Sequence, residues 1–154
     1  MNVGILGAGR IAVSMAQTLN GMEDATAYAV ASRDRERAEK FAEDNHVEKA
    51  YGSYEEMLKD DKVDLVYIAT PHSHHLEHGK LCISYGKPVL CEKSFTANVK
   101  QAKELLSYAK EKNVFITEAI WTRYMPSRIL ITEILAGGEL GEIKSLSANL
   151  GYDV

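Results

Sequence analysis

Short apolar runs alternate with amphipathic segments along most of the chain. Runs of about four to eight apolar residues are typical of strands, whereas apolar residues that recur every three or four positions are typical of helices. The predicted strands cover residues 3–6, 25–32, 49–51, 63–70, 87–93 and 114–119. The predicted helices between them cover residues 11–19, 33–45, a short segment that begins at Ser53, 74–85 and 99–112. Strands joined by helices predict an α/β fold with a doubly wound parallel sheet, which binds ligands at the carboxyl ends of its strands.

Two of these helices have more specific patterns. Ser53 is followed three residues later by Glu56, which is a capping box at the start of a helix. The long helix over residues 99–112 is predicted to turn one apolar face inward. That face consists of Val99, Ala102, Leu105, Leu106 and Ala109.

The last part of the chain has a different pattern. Residues 126–136 are predicted to form a helix, and residues 141–154 then alternate like a half-buried strand. The apolar positions of that strand are Leu146, Ala148 and Leu150. Because a lone strand needs partners, we expect residues 1–140 to form one domain and residues 141–154 to begin a second domain that this chain does not contain.

Composition and charge exclude several classes of partner. The chain has 154 residues, 45% of them hydrophobic, and a net charge of −4 with basic and acidic residues interspersed, which argues against nucleic acid or an anionic membrane as partner. No apolar run approaches the roughly 20 residues needed to cross a bilayer. Met1 leads directly into the first strand without a secretion sequence, so a cytoplasmic protein is expected. Cys82 and Cys91 lack the spacing of a disulfide framework or zinc site and are expected to be buried thiols.

A glycine motif separates the first strand from the first helix. Gly7, Gly9 and Ala12 have the spacing of the G-x-G-x-x-G/A fingerprint of Rossmann dinucleotide-binding domains. In that fingerprint the first glycine permits a tight turn, the second lets the backbone approach a pyrophosphate, and the third position needs only a small residue. Taken alone, the motif is equally compatible with an ordinary turn between a strand and a helix.

Four stretches carry a more specific resemblance: "GILGAGRIA", "YIATPHSHH", "YGKPVLCEKSF" and "TEAIWTRYMPS". In this order, on successive strand ends, they resemble the glucose-fructose oxidoreductase / inositol dehydrogenase family, with the greatest similarity to its dimeric dihydrodiol dehydrogenase branch. The resemblance covers essentially the whole chain. It implies the nucleotide-binding half of an NAD(P)-dependent dehydrogenase that acts on a sugar, polyol or diol. It also implies a following open-faced sheet domain for substrate binding and dimerisation, and hence a homo-oligomer.

Lys93, after the fifth predicted strand, is the predicted catalytic residue. Hydride transfer between a nicotinamide and an alcohol leaves a proton to be handled, and a lysine at a partly dry site can orient the reacting oxygen and stabilise its charge. Glu92 is expected to hold Lys93 in place. The family usually has Glu-Lys-Pro here, whereas this chain has Ser94, a departure that affects the turn after the lysine. Without the resemblance, a solvent-facing lysine is the simpler interpretation.

The remaining site residues are predicted from the resemblance and from the strand ends together. Thr70, Pro71 and His72 are expected to border the cofactor, and His75 to pack and hydrogen-bond nearby. Trp121 is predicted either to line the nicotinamide pocket or to pack between domains. The complete predicted cofactor-binding set is Gly7, Gly9, Arg10, Ile11, Ser32, Arg33, Thr70, Pro71, His72, His75, Glu92, Lys93, Trp121 and Arg123.

A cluster of histidines raises the alternative of a metal site. His74 and His78 are four residues apart on a predicted helix, a spacing that can chelate zinc. Glu77 is expected on another face of that helix, so that no carboxylate completes the set. The sequence therefore predicts no metal site.

The choice of cofactor depends on the end of the second predicted strand. NAD-specific sites place an acidic residue about 20 positions beyond the fingerprint, whereas this chain has Ser32 followed by Arg33. A hydroxyl and an arginine suit a 2′-phosphate, so NADP(H) is predicted, with NAD as a possibility if Asp34 reaches the ribose. A non-catalytic NADP(H)-binding redox sensor is the alternative function.

Overall fold

The computed structural model describes residues 1–149 and 151, and it divides the chain into two compact units. The first unit is Met1–Ala119 and the second is Ile120–Val154. The predicted domain of residues 1–140 extends across this division, and its boundary stays a prediction.

The first unit contains a parallel sheet of six strands. The strands are β1 (Asn2–Leu6), β2 (Thr26–Ala31), β3 (Lys49–Tyr51), β4 (Leu65–Ile68), β5 (Val89–Cys91) and β6 (Ile116–Glu118). The helices between them are α1 (Arg10–Asn20), α2 (Arg35–Asp44), α3 (Tyr54–Leu58), α4 (His75–Ser84) and α5 (Val99–Lys112). A 3-10 turn over His72–His74 precedes α4. The predicted doubly wound parallel sheet is confirmed, and the observed β4 and β5 are shorter than predicted because predicted residues at both of their ends lie outside the strands.

The order of the strands determines where a ligand can bind. It is β3-β2-β1-β4-β5-β6, so the chain winds outward from β1 in both directions. Leu6 at the end of β1 pairs with Ala31 of β2 on one side and with Ile68 of β4 on the other. In sheets of this kind the crevice for a ligand lies outside the carboxyl ends of the strands, where the order reverses.

Both faces of the sheet are covered, which explains the nearly continuous apolar strands. On one face, Leu6 and Ile68 pack in a buried cluster with side chains from α3, α4 and α5. On the other face, Ile5 and Tyr67 pack in a second cluster with side chains from α1 and α2. Successive strand residues therefore alternate between two cores, as the two-residue period of a strand requires.

Capping side chains begin three of the helices. Asp34, Ser53 and Asn98 cap α2, α3 and α5 through their side chains. The predicted cap at Ser53 is confirmed, because its hydroxyl accepts a hydrogen bond of 3.2 Å from the amide of Glu56. In contrast, α1 follows Gly9 without a capping side chain.

The predicted inward face of α5 is only partly correct. Leu105 and Ala109 are buried, whereas Val99 and Leu106 are 70% and 50% exposed. Consecutive residues of a helix point about 100° apart, so Leu106 points well away from the direction in which Leu105 meets the core. The apolar stripe that covers the sheet is narrower than the sequence suggests.

In the second unit, a 3-10 turn over Trp121–Tyr124 precedes α6 (Pro126–Gly137). The helix predicted in this region is confirmed. The predicted strand is not formed in the described residues 141–149 and 151, where Leu146 is 84% exposed; Leu150 lies outside the described residues. A single strand has no neighbour for its backbone hydrogen bonds, so the alternating pattern alone does not produce one.

Both cysteines are free and buried, as predicted. Burial raises the pKa of the Cys91 thiol to about 12, so the unreactive thiol form prevails at neutral pH. Among the described residues, no helix combines the length and the apolar character needed to cross a membrane.

Candidate functional site

The turn between β1 and α1 needs glycine at its first position. Gly7 has a φ of +106°, in the left-handed region that side chains disfavour. A Cβ at Gly7 would also come within 3.0 Å of the Thr70 Cγ2 atom and 3.1 Å of the Ala69 carbonyl oxygen. The first glycine of the fingerprint therefore brings β1 close to the end of β4.

The presence of glycine at the second position of the turn is not explained by crowding within the protein. A Cβ at Gly9 would meet only the Ala69 carbonyl oxygen, at 4.0 Å, so the protein itself leaves room for a side chain there. α1 begins beside it with no capping side chain and no acidic residue in its first turn. Uncapped amide groups at a helix N-terminus attract anions such as a pyrophosphate. The turn therefore fits a dinucleotide, and a Cβ at Gly9 would enter space that the protein leaves open.

Two neighbouring pockets lie at the carboxyl ends of the strands. The Gly-turn pocket has a volume of about 320 Å³. It is lined by Gly7, Ala8, Gly9, Arg10, Ile11, Ser32, Arg33, Arg37, Tyr54, Ala69, Thr70 and Pro71. The Lys93 pocket has a volume of about 340 Å³ and is lined by Arg10, Ile11, Ser14, Thr70, His72, Glu92 and Lys93. Because both pockets share Arg10, Ile11 and Thr70, they are adjacent, and together they contain most of the predicted site residues.

At the end of β2, two hydrogen bonds hold Asp34 in position. Its carboxylate accepts a 3.2 Å hydrogen bond from the amide of Arg37 at the start of α2, and its own amide donates to the Ser32 hydroxyl at 3.3 Å. Asp34 does not line the Gly-turn pocket, whereas Ser32 and Arg33 do. The acidic side chain is thus used as a helix cap.

Arg37 is a residue of this pocket that the sequence analysis missed. Its guanidinium donates two hydrogen bonds, of 3.2 and 2.9 Å, to the carbonyl oxygen of Ala8 in the glycine turn. A second arginine therefore lies beside Arg33 in the lining of the Gly-turn pocket. The stretch "SRDRER" contains a signal for Arg37, because this residue is in the first turn of the helix after β2. That turn lies at the same sheet edge as the glycine turn.

Lys93 lies at the rim of the Lys93 pocket. Its backbone is held by the neighbouring residue, Glu92. The Glu92 carboxylate accepts a 3.0 Å hydrogen bond from the amide of Lys93 and another from the Tyr67 hydroxyl. Burial, and then the bond to Glu92, raise the pKa of Tyr67, so that hydroxyl remains a donor. Glu92 thus has the contact with Lys93 that was expected of it. Lys93 itself is exposed in this chain, and its catalytic role stays a prediction.

His75 is fully buried and links two strand ends. Its Nε2 atom lies 2.9 Å from the Thr70 carbonyl oxygen, and its Nδ1 atom lies 2.9 Å from the Ser94 carbonyl oxygen. Both nitrogens donate at once only when both are protonated. His75 packs and hydrogen-bonds as expected, but it does not line either pocket, since no part of it is exposed. Its ring joins the loops that follow β4 and β5.

The other histidines of α4 differ in their surroundings. His78 is 9% exposed, and a 2.9 Å hydrogen bond joins its Nδ1 atom to the Thr70 hydroxyl. Desolvation, followed by the proximity of His74, lowers the pKa of His78. The expectation that Glu77 lies on another face is wrong: one carboxylate oxygen of Glu77 and one ring nitrogen each of His74 and His78 lie within 4.8 Å of one another. Residues three and four apart share a face of a helix.

Trp121 and Arg123 belong to the second unit, in the 3-10 turn before α6. Trp121 is 59% exposed. Their roles in binding a cofactor stay predictions.

Comparison with known proteins identifies the family. A profile of the oxidoreductase family with an NAD-binding Rossmann fold, named GFO_IDH_MocA, matches residues 1–119. The chain belongs to this oxidoreductase family. The resemblance found in the four sequence stretches is therefore confirmed, as is the Rossmann fold.

Relatives of this chain include named dehydrogenases. Trans-1,2-dihydrobenzene-1,2-diol dehydrogenase of Mus musculus is 40% identical over 153 residues, which are 98% of this chain and 46% of the relative. D-xylose 1-dehydrogenase (NADP(+)) of Hypocrea jecorina is 42% identical over 162 residues, or 97% of this chain and 41% of the relative. The chain thus spans less than half the length of these relatives.

Solved structures show the same fold. KijD10, a 3-ketoreductase from Actinomadura kijaniata in complex with NADP, matches with a TM-score of 0.83 and 29% identity, over 92% of this chain and 45% of that one. An NAD binding oxidoreductase from Klebsiella pneumoniae matches with a TM-score of 0.84 and 31% identity, over 92% and 40% of the two chains.

Replacing either glycine of the turn should have distinct effects. We expect Gly9→Ala to weaken dinucleotide binding at least tenfold, about 1.4 kcal/mol, because the new methyl group enters the space beside the ligand. Its free energy of unfolding should change by less than about 1 kcal/mol, since no protein atom opposes the methyl group. Gly7→Ala is the matched comparison, and its positive φ should cost at least about 1–2 kcal/mol of stability. Calorimetric melting and fluorescence titration measure both quantities; Gly9→Ala with a lower melting temperature and unchanged affinity would make the turn purely architectural.

Proposed function

We propose that this chain is the nucleotide-binding part of an NADP(H)-dependent dehydrogenase that moves a hydride between the cofactor and a CH–OH group of a sugar, polyol or diol. The names of the relatives support this class of substrate, since one acts on a dihydrobenzene diol and another on xylose. The observation that carries the proposal is the position of Lys93. It lines a pocket that shares Arg10, Ile11 and Thr70 with the pocket at the glycine turn.

The residues of the two pockets are assigned different roles. The uncapped start of α1 and the backbone at Gly9 would hold the pyrophosphate, and the cofactor would supply the hydride chemistry when bound. Lys93 would hold the reacting oxygen of the substrate by hydrogen bonding and stabilise negative charge on it. Glu92, itself bonded to Tyr67, keeps the backbone of Lys93 in position.

The cofactor choice follows from the arginines. Arg33 and Arg37 line the Gly-turn pocket near Ser32, and no acidic side chain is among the described residues of that lining. Guanidinium groups bind phosphate through charge-assisted hydrogen bonds, whereas NAD-specific sites need a carboxylate for the ribose hydroxyls. With Asp34 used as a helix cap, the pocket favours the 2′-phosphate of NADP(H).

We expect NADPH to bind about ten- to a hundredfold more tightly than NADH, because a charge-assisted hydrogen bond contributes about 1.5–3 kcal/mol. Arg33→Ala should remove most of that preference by weakening NADPH binding alone. Arg35→Ala is the matched control, since Arg35 is exposed, pairs with Glu39 and lies outside the lining of the pocket. Fluorescence titration with both nucleotides measures the ratio. Equal binding of NADH and NADPH by the unmodified chain, or an unchanged ratio in Arg33→Ala, contradicts the assignment.

For the whole protein, we further infer a cytoplasmic location and a homo-oligomeric state. The free, buried thiols Cys82 and Cys91 support a reducing compartment. The family resemblance supports assembly through a second domain.

A further inference from the structure

His74, Glu77 and His78 form a three-residue cluster at the start of α4, outside the Gly-turn pocket and the Lys93 pocket. The stretch "HHLEH" places the two histidines four residues apart and the glutamate between them, three residues after the first. On a helix this spacing brings all three side chains to one face. The cluster is not used by the function proposed above.

The distances within the cluster are somewhat longer than those around a bound metal ion. One ligand atom from each residue lies within 4.8 Å of the others, and the Nδ1 atom of His74 is 3.8 Å from a carboxylate oxygen of Glu77. Neighbouring ligands of a tetrahedral zinc ion are about 3.4 Å apart, given zinc–nitrogen bonds of about 2.0–2.1 Å. The side chains of His74 and Glu77 are 40% and 79% exposed, so both have room to rotate toward a common ion.

His78 is the anchored member of the cluster. It is 91% buried, its ring packs edge-on against Tyr54, and its Nδ1 atom is hydrogen-bonded to the Thr70 hydroxyl. A hydrogen bond at one ring nitrogen fixes the orientation of a metal-binding histidine and leaves the other nitrogen for the ion. Here that nitrogen is Nε2.

We propose that His74, Glu77 and His78 bind a divalent transition-metal ion of the zinc class. Two imidazole nitrogens and one carboxylate oxygen are donors that such ions accept readily. Three protein ligands leave the remaining coordination to water or to an anion from the adjoining cavity of about 400 Å³. The ion would fix the position of His78, which is hydrogen-bonded to Thr70. Thr70 lines both the Gly-turn pocket and the Lys93 pocket.

Two nearby positive features limit the affinity. Arg33 lines the same cavity, and the cluster lies at a helix N-terminus, where the helix dipole opposes a cation. The carboxylate of Glu77 offsets part of this repulsion. We therefore expect micromolar binding rather than the tighter binding of a structural zinc site.

The test is a calorimetric titration of the untagged 154-residue chain with Zn²⁺. The buffer is one that does not chelate metals. We expect one equivalent of zinc to bind, and His74→Ala and Glu77→Gln each to weaken binding at least tenfold. These two exposed positions are chosen because their substitution should leave the fold intact, which calorimetric melting verifies. Titration with Co²⁺ adds a visible absorption band that reports coordination, and both variants should alter it.

The matched control is His46→Asn. It removes a histidine outside the cluster, and asparagine tolerates the positive φ of 55° at that position. Zinc affinity should be unchanged in this variant. The proposal is overturned by absence of binding at millimolar zinc, by an equal loss in His46→Asn, or by unchanged affinity in either His74→Ala or Glu77→Gln.

Discussion

On its own, the 154-residue chain is expected to bind NADP(H) and to oxidise no sugar, polyol or diol at a measurable rate. Binding requires the strand ends that line the two pockets. Turnover also requires a substrate held in reacting distance of the nicotinamide, and such positioning contributes about 7–11 kcal/mol to catalysis. Lys93 is exposed at the pocket rim, and the relatives are more than twice as long as the matched region. We attribute the positioning to that further length.

The measurement compares this chain with a version extended to the length of the relatives. Both should show fluorescence changes on titration with NADPH, and only the longer version should reduce NADP⁺ when xylose or a dihydrodiol is added. Steady turnover by the short chain contradicts the proposal that the further length is needed to position the substrate. Tight NADPH binding by the longer version without turnover of any tested sugar, polyol or diol favours the redox-sensor alternative.

In the longer protein, Lys93→Ala is expected to lower kcat by about 10²–10⁴-fold, the range for loss of an acid or base group. The dissociation constant for NADPH should change less than threefold, because Lys93 is assigned to the reacting oxygen. An interaction made only in the transition state lowers kcat and kcat/KM together. Steady-state kinetics and fluorescence titration on the same preparation measure both quantities.

Lys100→Ala is the control for this substitution. Lys100 is an exposed lysine in the first turn of α5 and lines neither pocket, so its replacement should leave kcat unchanged. A Lys93→Ala variant with full activity removes Lys93 from the chemistry. A variant whose only defect is weaker NADPH binding reassigns it to the cofactor.

The sequence predicted the elements well where local patterns decide them. The buried strands are covered on both faces and are therefore apolar throughout, and the predicted cap at Ser53 begins α3 through a local hydrogen bond. Gly7 could be predicted for the same reason, because its backbone geometry tolerates no side chain. These features depend on a few neighbouring residues.

Features that depend on distant residues were harder to predict. Arg37 became a pocket residue through its bonds to Ala8, which is 29 positions away in sequence. The deep burial of His75 depends on carbonyl groups from two separate loops. The exposure of Lys93 could not be read from its place after a buried strand, because solvent access at a strand end depends on whatever packs over it.

His75 also makes the loops after β4 and β5 a single unit of local unfolding. Its ring is fully buried between the carbonyl groups of Thr70 and Ser94. Releasing a loop whose carbonyl group accepts a hydrogen bond from the ring would leave that buried N–H unpaired, at a cost of about 1–3 kcal/mol. Solvent therefore reaches the amides of both loops through one shared opening, and a ligand that orders the end of β4 slows hydrogen exchange beside Lys93 as well.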